Sequence, residues 1–479
     1  MLDRIDSVNG APVFWGLSRT TLALSIAGGV LIGIVYSASP LTLIWGLWML
    51  LFIRRAGRNF ADRERQWLRG LLVAAIALRA AVLGVLLLTT GRDSQSAGIL
   101  FGDEGYIVRR AWRLRNAWLG FPGAPYDYIN AFEEYGRSGY LYVISYLQVL
   151  FGPASYSIRL LNAGLFVTTA YVLYRLARRA YGGVPALIGL AVLLFLPTQF
   201  SWSISLLKES AYLLATAGVL VAVVNAVRSS RWRQRAKWSI AAIIFVALIW
   251  PLRPQGIAIV VAALAMGFAL WWTTCRVRRA LVVAVALPVV VLLLLQQPRI
   301  YAQTLELLQN AAHEHGGHTF TIGHAYKTLD QQFYTVPTFL AWKLTPQQAG
   351  RFVIRSAAAY LLVPLPWQAI SRSEILYLPE QMLWYLLALL AFGGVFVAFR
   401  RDSLVTCLLV SYVFVNSAAV ALTSGNVGTL IRHRSLTIPF LVWFSALALV
   451  WLLERVIAAA ALPSASKSLR KGTNEPCPS

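Results

Sequence analysis

The chain has 479 residues, of which 58% are hydrophobic and only 13% are charged, and its mean hydropathy is +0.63. This composition excludes an ordinary soluble globular domain and indicates a polytopic membrane protein. The formal net charge is +24, but the basic residues cluster between long apolar runs, so their positions reflect membrane topology. We therefore expect no nucleic-acid partner.

Long apolar runs dominate the chain. A helix needs about 20 apolar residues to cross a bilayer, and twelve candidate runs occur at residues 19–37, 40–53, 70–90, 158–177, 184–200, 206–227, 238–252, 256–274, 280–297, 381–399, 403–422 and 436–454. We predict an all-α polytopic transmembrane protein of about 12 spans, with residues 1–463 as one transmembrane domain and 464–479 as a polar cytoplasmic tail. The first residues lack the small-residue cleavage pattern of a signal peptide, so we expect the first span to be retained.

Five basic clusters lie between the predicted spans: "RRAGRNFADRERQWLR", "RLARR", "RSSRWRQRAK", "CRVRR" and "FRRD". A serpentine with both ends in the cytoplasm places all five on the cytoplasmic face, as the positive-inside rule requires. The same topology places two long connections, residues 91–157 and 298–380, on the outer face. Cys275, Cys407 and Cys477 then fall in spans or on the cytoplasmic side, and no disulfide framework is implied.

Both outer loops carry apolar as well as charged residues. In the first, "YIVRRAWRLRNAWL" interleaves tryptophans with arginines, which predicts an amphipathic helix at the membrane interface. In the second, "RFVIRSAAAYLLVPLPWQ" is broken by Pro364 and Pro366. We interpret this stretch as interfacial or re-entrant, since a full span would invert every later segment. Loops of this length are usually functional or disordered.

Asp103 and Glu104 open the helix predicted in the first outer loop. A carboxylate at the membrane boundary can accept a proton from a hydroxyl or amine during attack, so either residue is a candidate general base. The alternative is a solvated pair that balances Arg109 and Arg110 on the next helical turn. The residues alone leave both interpretations open.

A second polar group lies at the predicted outer ends of other spans. Basic residues are disfavoured on that side by topology. Arginine forks and lysine ammonium groups suit phosphate oxygens, so the group predicts an anion site at the depth of a lipid headgroup. The alternative is that these side chains snorkel to headgroups or pair with acidic residues. The members are Lys208, Glu209, Arg253, Arg432, His433 and Arg434.

Four of the five histidines lie in the second outer loop, in "HEHGGHTFTIGH", at His313, His315, His318 and His324. Imidazole is a common ligand of zinc and other divalent ions, but no spacing here is diagnostic, and we expect no metal to be required. The chain has no P-loop or dinucleotide-binding glycine pattern, which argues against ATP-driven transport.

These motifs together resemble a known superfamily of membrane enzymes. An acidic pair opens the first large outer loop, "RLLNAGLFVTTAYVLYRLARRAYGG" leads from one predicted span to the next, and "RHR" comes late in the chain. The pattern resembles the GT-C superfamily of membrane glycosyltransferases over about residues 70–455. The similar branch is the bacterial one related to protein O-mannosyltransferases and the lipid A aminoarabinose transferase. Residues 19–54 depart from the pattern, and we interpret them as an added N-terminal hairpin.

The resemblance implies an inverting glycosyltransferase in the bacterial cytoplasmic (inner) membrane, with its active site facing the periplasm. The donor would be a sugar joined to a polyprenyl phosphate, and the acceptor a glycan, a lipid or a protein. No further cofactor would be required, because the lipid phosphate is itself the leaving group. The identity of the sugar and the oligomeric state stay open.

The resemblance also assigns roles to residues. Asp103 matches the position of the family's catalytic base, and Glu104 would share that task or position the acceptor. A group of basic residues would stabilise the charge on the departing phosphate, and His433 would add a hydrogen bond. The residues of that group are Lys208, Arg253, Arg432 and Arg434, with Arg109, Glu209 and His318 as further candidate contacts.

Two alternatives stay open. An O-antigen ligase or polymerase also uses undecaprenyl-linked glycans and relies on outer-face arginines and a loop histidine. Here Arg432 to Leu436 spells R-x-x-x-L, and His313 or His318 would be the base. The second alternative is a lipid or polysaccharide transporter, or a non-catalytic assembly subunit. Transporters tend to show paired half-repeats with charges near the midplane, whereas this chain places its polar residues at one face, except for Arg79.

Overall fold

The computed structural model describes residues 39–90, 102–123, 138–153, 155–274, 296–321, 323–335, 342–369 and 372–469, and the isolated positions 21, 24, 25, 28, 29, 32, 129, 131 and 293. These described residues form sixteen α-helices and two short 3-10 helices, at Gln331–Tyr334 and Pro366–Gln368, and no strand. An isolated β-bridge joins Ala325 to Asn426. The predicted all-α fold is confirmed.

The α-helices are numbered here in chain order. They are α1 (Pro40–Arg55), α2 (Asp62–Thr90), α3 (Gly102–Trp118), α4 (Gly139–Phe151), α5 (Ser155–Tyr181), α6 (Gly183–Phe195), α7 (Pro197–Ser203), α8 (Glu209–Arg228), α9 (Trp232–Leu252), α10 (Pro254–Thr274), α11 (Pro298–Thr319), α12 (Pro346–Leu362), α13 (Arg372–Arg401), α14 (Ser403–Thr423), α15 (Val427–Arg434) and α16 (Ile438–Leu469).

Eight of these helices are long and apolar enough to cross a membrane: α2, α5, α8, α9, α10, α13, α14 and α16. The bent pair α6 and α7 makes a ninth span if the two are counted together. These nine coincide with nine of the twelve predicted spans. The predicted count of twelve is not confirmed, because α1 has only 16 residues and the runs at 19–37 and 280–297 lie almost wholly outside the described residues.

The pair α6 and α7 is bent by 62° at a break next to Pro197. The amide of Thr198, in the first turn of α7, donates to both carboxylate oxygens of Glu380 on α13, at 3.1 and 3.0 Å. Glu380 is 8% exposed. The carboxylate therefore supplies an acceptor for one of the amides that every helix start leaves without an intrahelical partner.

Local sequence explains where other helices begin and end. The Asp402 side chain accepts a hydrogen bond from the Val405 amide at 3.2 Å and so caps the start of α14. Thr345 forms a capping box with Gln348 at the start of α12. That helix ends at Leu362, two residues before Pro364, because proline disfavours helical backbone in the residue before it.

The chain divides into two compact units, which are described separately. The first comprises Met1–Asn59, Ala77–Gly164 and Ile204–Leu206. In it, α3 packs on α4, and the Ser145 hydroxyl donates to the Ala111 carbonyl at 3.1 Å. Helix α1 approaches α5 at Gly164, where a Cβ atom would lie 2.8 Å from the Trp48 ring. A glycine is required there by close packing.

The second unit comprises Phe60–Ile76, Leu165–Ser203 and Leu207–Ser479. Helices α8 and α14 are mostly buried within it, whereas α9 has a largely exposed apolar surface, as expected for a helix that faces lipid. Helix α12 lies against α14, and α13 lies against α16. Neither α11 nor α12 qualifies as a span by length and composition, whereas the candidate span in α13 begins at Glu374, before the predicted connection of residues 298–380 ends.

Candidate functional site

The acidic pair lies at the start of α3, in the first unit. Glu104 is fully buried and is bound by Arg159 of α5, whose Nη2 donates to Oε2 at 2.9 Å and Nη1 to Oε1 at 3.2 Å. The Leu206 amide donates a third hydrogen bond to Oε1 at 2.8 Å. Bidentate arginine pairs are among the strongest hydrogen-bonded ion pairs. Glu104 therefore holds α3, α5 and the segment Ile204–Leu206 together.

Further hydrogen bonds of Arg159 and of Asn162 strengthen the same junction. Arg159 Nη1 also donates to the Ile204 carbonyl at 3.1 Å. Asn162, one turn further along α5, donates to the Ser205 carbonyl at 2.7 Å and meets the Tyr140 hydroxyl. The sequence interpretation used "RLLNA" only as part of a family pattern and missed both residues. An arginine and an asparagine one turn apart in an apolar helix were the available signal.

Asp103 has the opposite environment, since its side chain is exposed at the first turn of α3. Adjacent helical residues point about 100° apart. When Glu104 lies on the buried face of α3, Asp103 therefore lies on the exposed face. Arg109 is likewise exposed, whereas Arg110 is buried and donates to the Tyr106 hydroxyl at 3.2 Å. Glu104 is paired with Arg159, and Asp103 is the carboxylate of the two that is exposed to a substrate.

The residues predicted to bind the donor phosphate lie in the second unit, where most of them meet. Arg432 of α15 donates through Nε and Nη2 to Oε1 of Glu209, at 2.9 and 2.8 Å. Arg253, between α9 and α10, donates through Nη2 to Nε2 of His433 at 3.2 Å. Lys208 directly precedes α8. We call Lys208, Glu209, Arg253, Arg432 and His433 the basic cluster.

Positive charge exceeds negative charge in the basic cluster. Lys208, Arg253 and Arg432 carry three positive charges, and Glu209 supplies the one carboxylate of the five residues in the basic cluster. Burial lowers the pKa of the Lys208 ammonium group, the positive charges of Arg253 and Arg432 lower it further, and Glu209 partly offsets them. Among the described residues, Lys208 makes no ion pair and no side-chain hydrogen bond. Oε2 of Glu209 is buried and has no hydrogen-bond partner among the described residues. This charge imbalance favours a bound anion.

Aromatic rings fix the two guanidinium groups. The guanidinium carbon of Arg432 lies 5.3 Å from the Trp202 ring centre, and that of Arg253 lies 5.5 Å from the Tyr212 ring centre. Both distances are within the range of cation–π attraction. The guanidinium groups are thus held in place before any ligand binds.

The contact with Arg253 also determines the protonation of His433. A guanidinium group only donates hydrogen bonds, so Nε2 of His433 is the acceptor and its proton lies on Nδ1. Burial, followed by the charges of Arg253 and Arg432, holds the pKa of His433 well below its usual value. His433 is therefore neutral, and the hydrogen bond predicted for it can come only from Nδ1.

The hydrogen bonds of Arg434 are made to residues outside the basic cluster. Its Nη1 donates to Oε1 of Gln381 at 2.9 Å, and its Nη2 donates to the carbonyls of Tyr360 and Val363 at 2.5 and 2.7 Å. The guanidinium carbon lies 4.8 Å from the Trp384 ring centre, and the side chain is 1% exposed. These contacts hold the end of α12 against α13.

Two of the histidines between residues 313 and 324 bind the backbone near α15. Nδ1 of His318 donates to the Thr423 carbonyl at 2.7 Å, and Nδ1 of His315 donates to the Ser424 carbonyl at 2.5 Å. His313 meets the Gln309 side chain, and His324 meets Glu374 at 3.1 Å. In the described part of the chain, no three His, Cys, Asp or Glu side chains are placed to hold a metal ion.

Residues 139–301 match the family model described as dolichyl-phosphate-mannose-protein mannosyltransferase, a family of the GT-C type. The match covers about a third of the chain and confirms the predicted resemblance to the GT-C superfamily. It contains Arg159, Lys208, Glu209 and Arg253, and it excludes Asp103 and α15. No curated protein and no solved structure matches the chain. The apolar helices and this match identify a multi-pass membrane protein and support a membrane glycosyltransferase of the GT-C type.

Proposed function

We propose that this chain, as a GT-C type membrane glycosyltransferase, is an inverting enzyme that takes a sugar from a polyprenyl-phosphate donor. The transfer would take place at the outer face of the bacterial inner membrane, to a glycan, lipid or protein acceptor. The observation that carries the proposal is the basic cluster, in which Lys208, Arg253 and Arg432 face one carboxylate, Glu209. The family model that the chain matches is named for a dolichyl-phosphate donor, which is an isoprenoid phosphate.

The basic cluster has the groups that a phosphate leaving group needs. Arg432 is one-fifth exposed and Lys208 is half-buried, so both can reach a ligand without leaving their positions. Negative charge grows on the phosphate as its bond to the sugar breaks. Preorganised positive groups stabilise that charge more in the transition state than in the bound donor. The Nδ1–H of His433 supplies one neutral donor besides the charged ones.

Asp103 is assigned as the general base. In this step the acceptor hydroxyl oxygen forms a bond to the anomeric carbon, and its proton goes to the Asp103 carboxylate. The bond from the anomeric carbon to the phosphate oxygen breaks, and its electron pair stays on the phosphate. Attack opposite the departing phosphate inverts the anomeric configuration. Support for the assignment comes from the exposure of Asp103 beside a buried Glu104 that fixes the helix.

A large apolar cavity in the second unit suits the isoprenoid chain of such a donor. It measures about 530 Å³ and is lined by apolar side chains of α12, α13, α14 and α16, among them Ala388, Phe392, Phe414, Ala418 and Phe444. An isoprenoid chain placed there exchanges contacts with lipid for dispersion contacts with the protein. We assign the isoprenoid of the donor to this cavity because its lining is almost entirely apolar.

The first experiment asks what the protein carries and what it transfers. The full-length protein is purified with native lipid, and mass spectrometry identifies the polyprenyl species that co-purify. The same preparation is then supplied with polyprenyl-phosphate sugars and with extracts of envelope glycans, lipids and proteins. We expect a bound isoprenoid phosphate and transfer of its sugar. Absence of any isoprenoid phosphate together with absence of transfer would overturn the proposal.

Variants separate this proposal from the two alternatives. A ligase-type mechanism with a histidine base predicts that His318→Asn abolishes transfer and that Asp103→Asn does not. Our proposal predicts the reverse. A transporter predicts movement of a lipid-linked glycan across vesicles with no new glycosidic bond, which product analysis distinguishes from transfer.

A further inference from the structure

We infer that His315 and His318 are positioning residues for the basic cluster, acting through the backbone that joins α14 to α15. This inference rests on the proposed function, since it assigns a role in binding the donor phosphate. The three residues between the two helices are Ser424, Gly425 and Asn426. Helix α15 has only eight residues, and Arg432 and His433 lie in its last turn. The direction in which α15 leaves α14 therefore determines where both side chains lie.

The carbonyl groups at the end of α14 accept hydrogen bonds from the second outer loop. The last carbonyls of a helix have no intrahelical donor. Thr423 accepts from Nδ1 of His318 at 2.7 Å. Ser424 accepts from Nδ1 of His315 at 2.5 Å and from the Tyr326 hydroxyl at 2.6 Å. The loop thus replaces the water that would otherwise solvate this helix end.

Backbone pairing continues the same attachment up to the start of α15. The Tyr326 amide donates to the Gly425 carbonyl at 3.0 Å, and the Val427 amide donates to the His324 carbonyl at 2.9 Å. Every carbonyl from Thr423 to Gly425 is therefore bonded to the segment between His315 and Tyr326. The Asn426 side chain then accepts from the Gly428 amide at 2.8 Å and caps α15.

The second ring nitrogen of His315 anchors that attachment in the core of the loop. Nδ1 must carry the proton because a carbonyl oxygen only accepts, so Nε2 is an acceptor. It lies 2.9 Å from the Thr328 hydroxyl and 3.1 Å from the Tyr334 hydroxyl. The Tyr334 oxygen also accepts from the amides of Thr328 and Leu329, each at 3.0 Å. His315 thus links a hydrogen-bonded loop core to the end of α14.

These contacts give two of the four loop histidines, His315 and His318, a role that needs neither a metal nor a base. An imidazole has a donor and an acceptor on opposite sides of one rigid ring, so it can join two backbone segments in a fixed geometry. His318 is only half-buried, which makes it the better residue to vary. Asparagine is its matched replacement, because the amide nitrogen takes nearly the place of Nδ1 and keeps the donor to Thr423.

The test measures binding of undecaprenyl phosphate to the full-length protein in lipid nanodiscs. We expect His318→Leu to weaken binding about fivefold, the usual effect of losing one hydrogen bond, and His318→Asn to restore wild-type affinity. With a transferred sugar as readout, His318→Leu should raise KM for the donor and leave kcat nearly unchanged. Gln309→Leu is the control, since Gln309 bonds to Trp342 and Leu344 of the same loop and to none of residues 423–427.

The outcomes separate this inference from the proposed function. If the wild-type protein does not bind undecaprenyl phosphate, the proposed function fails. If the wild type binds and Arg432→Ala binds weakly, but His318→Leu binds like the wild type, the positioning role is wrong. Equal weakening by His318→Leu and Gln309→Leu would also reject it, because any disturbance of the loop would then suffice. If His318→Leu does not insert, His318→Gln replaces it, since its longer amide places the donor away from Thr423.

Discussion

Each unit contains a glutamate buried against an arginine, and the two pairs differ in what they leave unbonded. Glu104 and Arg159 are 0% and 3% exposed, and both oxygens of Glu104 are bonded. Glu209 is 3% exposed, but Arg432 is 20% exposed and one oxygen of Glu209 has no partner among the described residues. The first pair balances its own charge, whereas the second lies beside two further cations. Burial of an ion pair therefore does not by itself separate a structural contact from a candidate ligand site.

The largest effect is expected at Asp103, the exposed neighbour of the Glu104–Arg159 pair. Asp103→Asn removes the proton acceptor but keeps the size of the side chain, so we expect kcat to fall by about 10²- to 10⁴-fold, the usual contribution of general base catalysis. Membrane insertion and thermal stability should be unchanged, because the side chain is exposed. Wild-type turnover in this variant would remove Asp103 as the base.

Glu104 should behave in the opposite way to Asp103. Glu104→Ala leaves Arg159 as a buried charge without its carboxylate, which costs about 3–5 kcal/mol of stability. We expect a large drop in the thermal midpoint in detergent and poor recovery of folded protein. The double variant Glu104→Leu with Arg159→Met should recover part of the lost stability, because no buried charge remains, although the Leu206 amide and the Ile204 carbonyl lose these side-chain partners. A Glu104→Ala protein with wild-type stability would mean that the Glu104–Arg159 pair does not stabilise the fold.

Acidification should loosen the loop that holds the basic cluster. Burial lowers the pKa of His315 from 6.5 to about 4, and the groups that face it are His318, Tyr326 and Tyr334. Because the folded pKa is the lower one, stability is complete above pH 6.5 and is lost as the pH falls from 6.5 towards 4. The maximum loss is about 3 kcal/mol. Thermal midpoints from pH 7.5 to 4.5 measure it, and His315→Asn should flatten this part of the profile.

A smaller effect should separate Arg432, which pairs with Glu209, from its neighbour Arg434, which does not. Arg432→Ala should weaken undecaprenyl phosphate binding by about 10- to 100-fold, since charge-assisted hydrogen bonds contribute about 1.5–3 kcal/mol. Arg434→Lys should reduce thermal stability and leave that affinity within about twofold, because Arg434 bonds to Gln381 and to backbone carbonyls. If the Arg434 variant loses affinity as much as the Arg432 variant, the division of the two residues is wrong.

The smallest expected effect concerns the apolar cavity. Ala418→Trp places a large ring in the cavity lined by α13 and α14 and should displace the isoprenoid chain. We expect undecaprenyl phosphate to bind more weakly by about five- to tenfold, with no change in the response to a short-chain polyprenyl phosphate. Equal loss for long and short chains would assign the effect to the phosphate site instead.

The all-α fold class is confirmed, and nine of the twelve predicted spans coincide with described helices when the bent pair is counted as one, because long apolar runs are a strong signal. The sequence interpretation did not distinguish Asp103 from Glu104, although the helical period was informative. Glu104 shares a face with Val108, Ala111 and Leu114, all buried, and this spacing predicts the buried member of the pair. Asp103 and Glu104 are adjacent in the sequence, but helix geometry gives them opposite exposure.

Other features depend on contacts between distant parts of the chain. Arg432 and Arg434 are two residues apart, yet one bonds to Glu209 and the other to Gln381. Arg159 was missed because its partner lies 55 residues away. The role of the histidine-rich loop depends on carbonyls about 100 residues further along. Composition and spacing contain no information about these pairings, which only the packed helices create.

The bent segment formed by α6 and α7 has a consequence for biogenesis. The Thr198 amide bonds to Glu380, which the ribosome adds 182 residues later. Hydrocarbon offers no acceptor for an exposed amide, so α7 cannot take its final position in lipid when it first emerges. The final position of α7 then depends on the later insertion of α13, which carries Glu380. We therefore expect the N-terminal half of the protein to mature late, and chains truncated before residue 380 to be degraded.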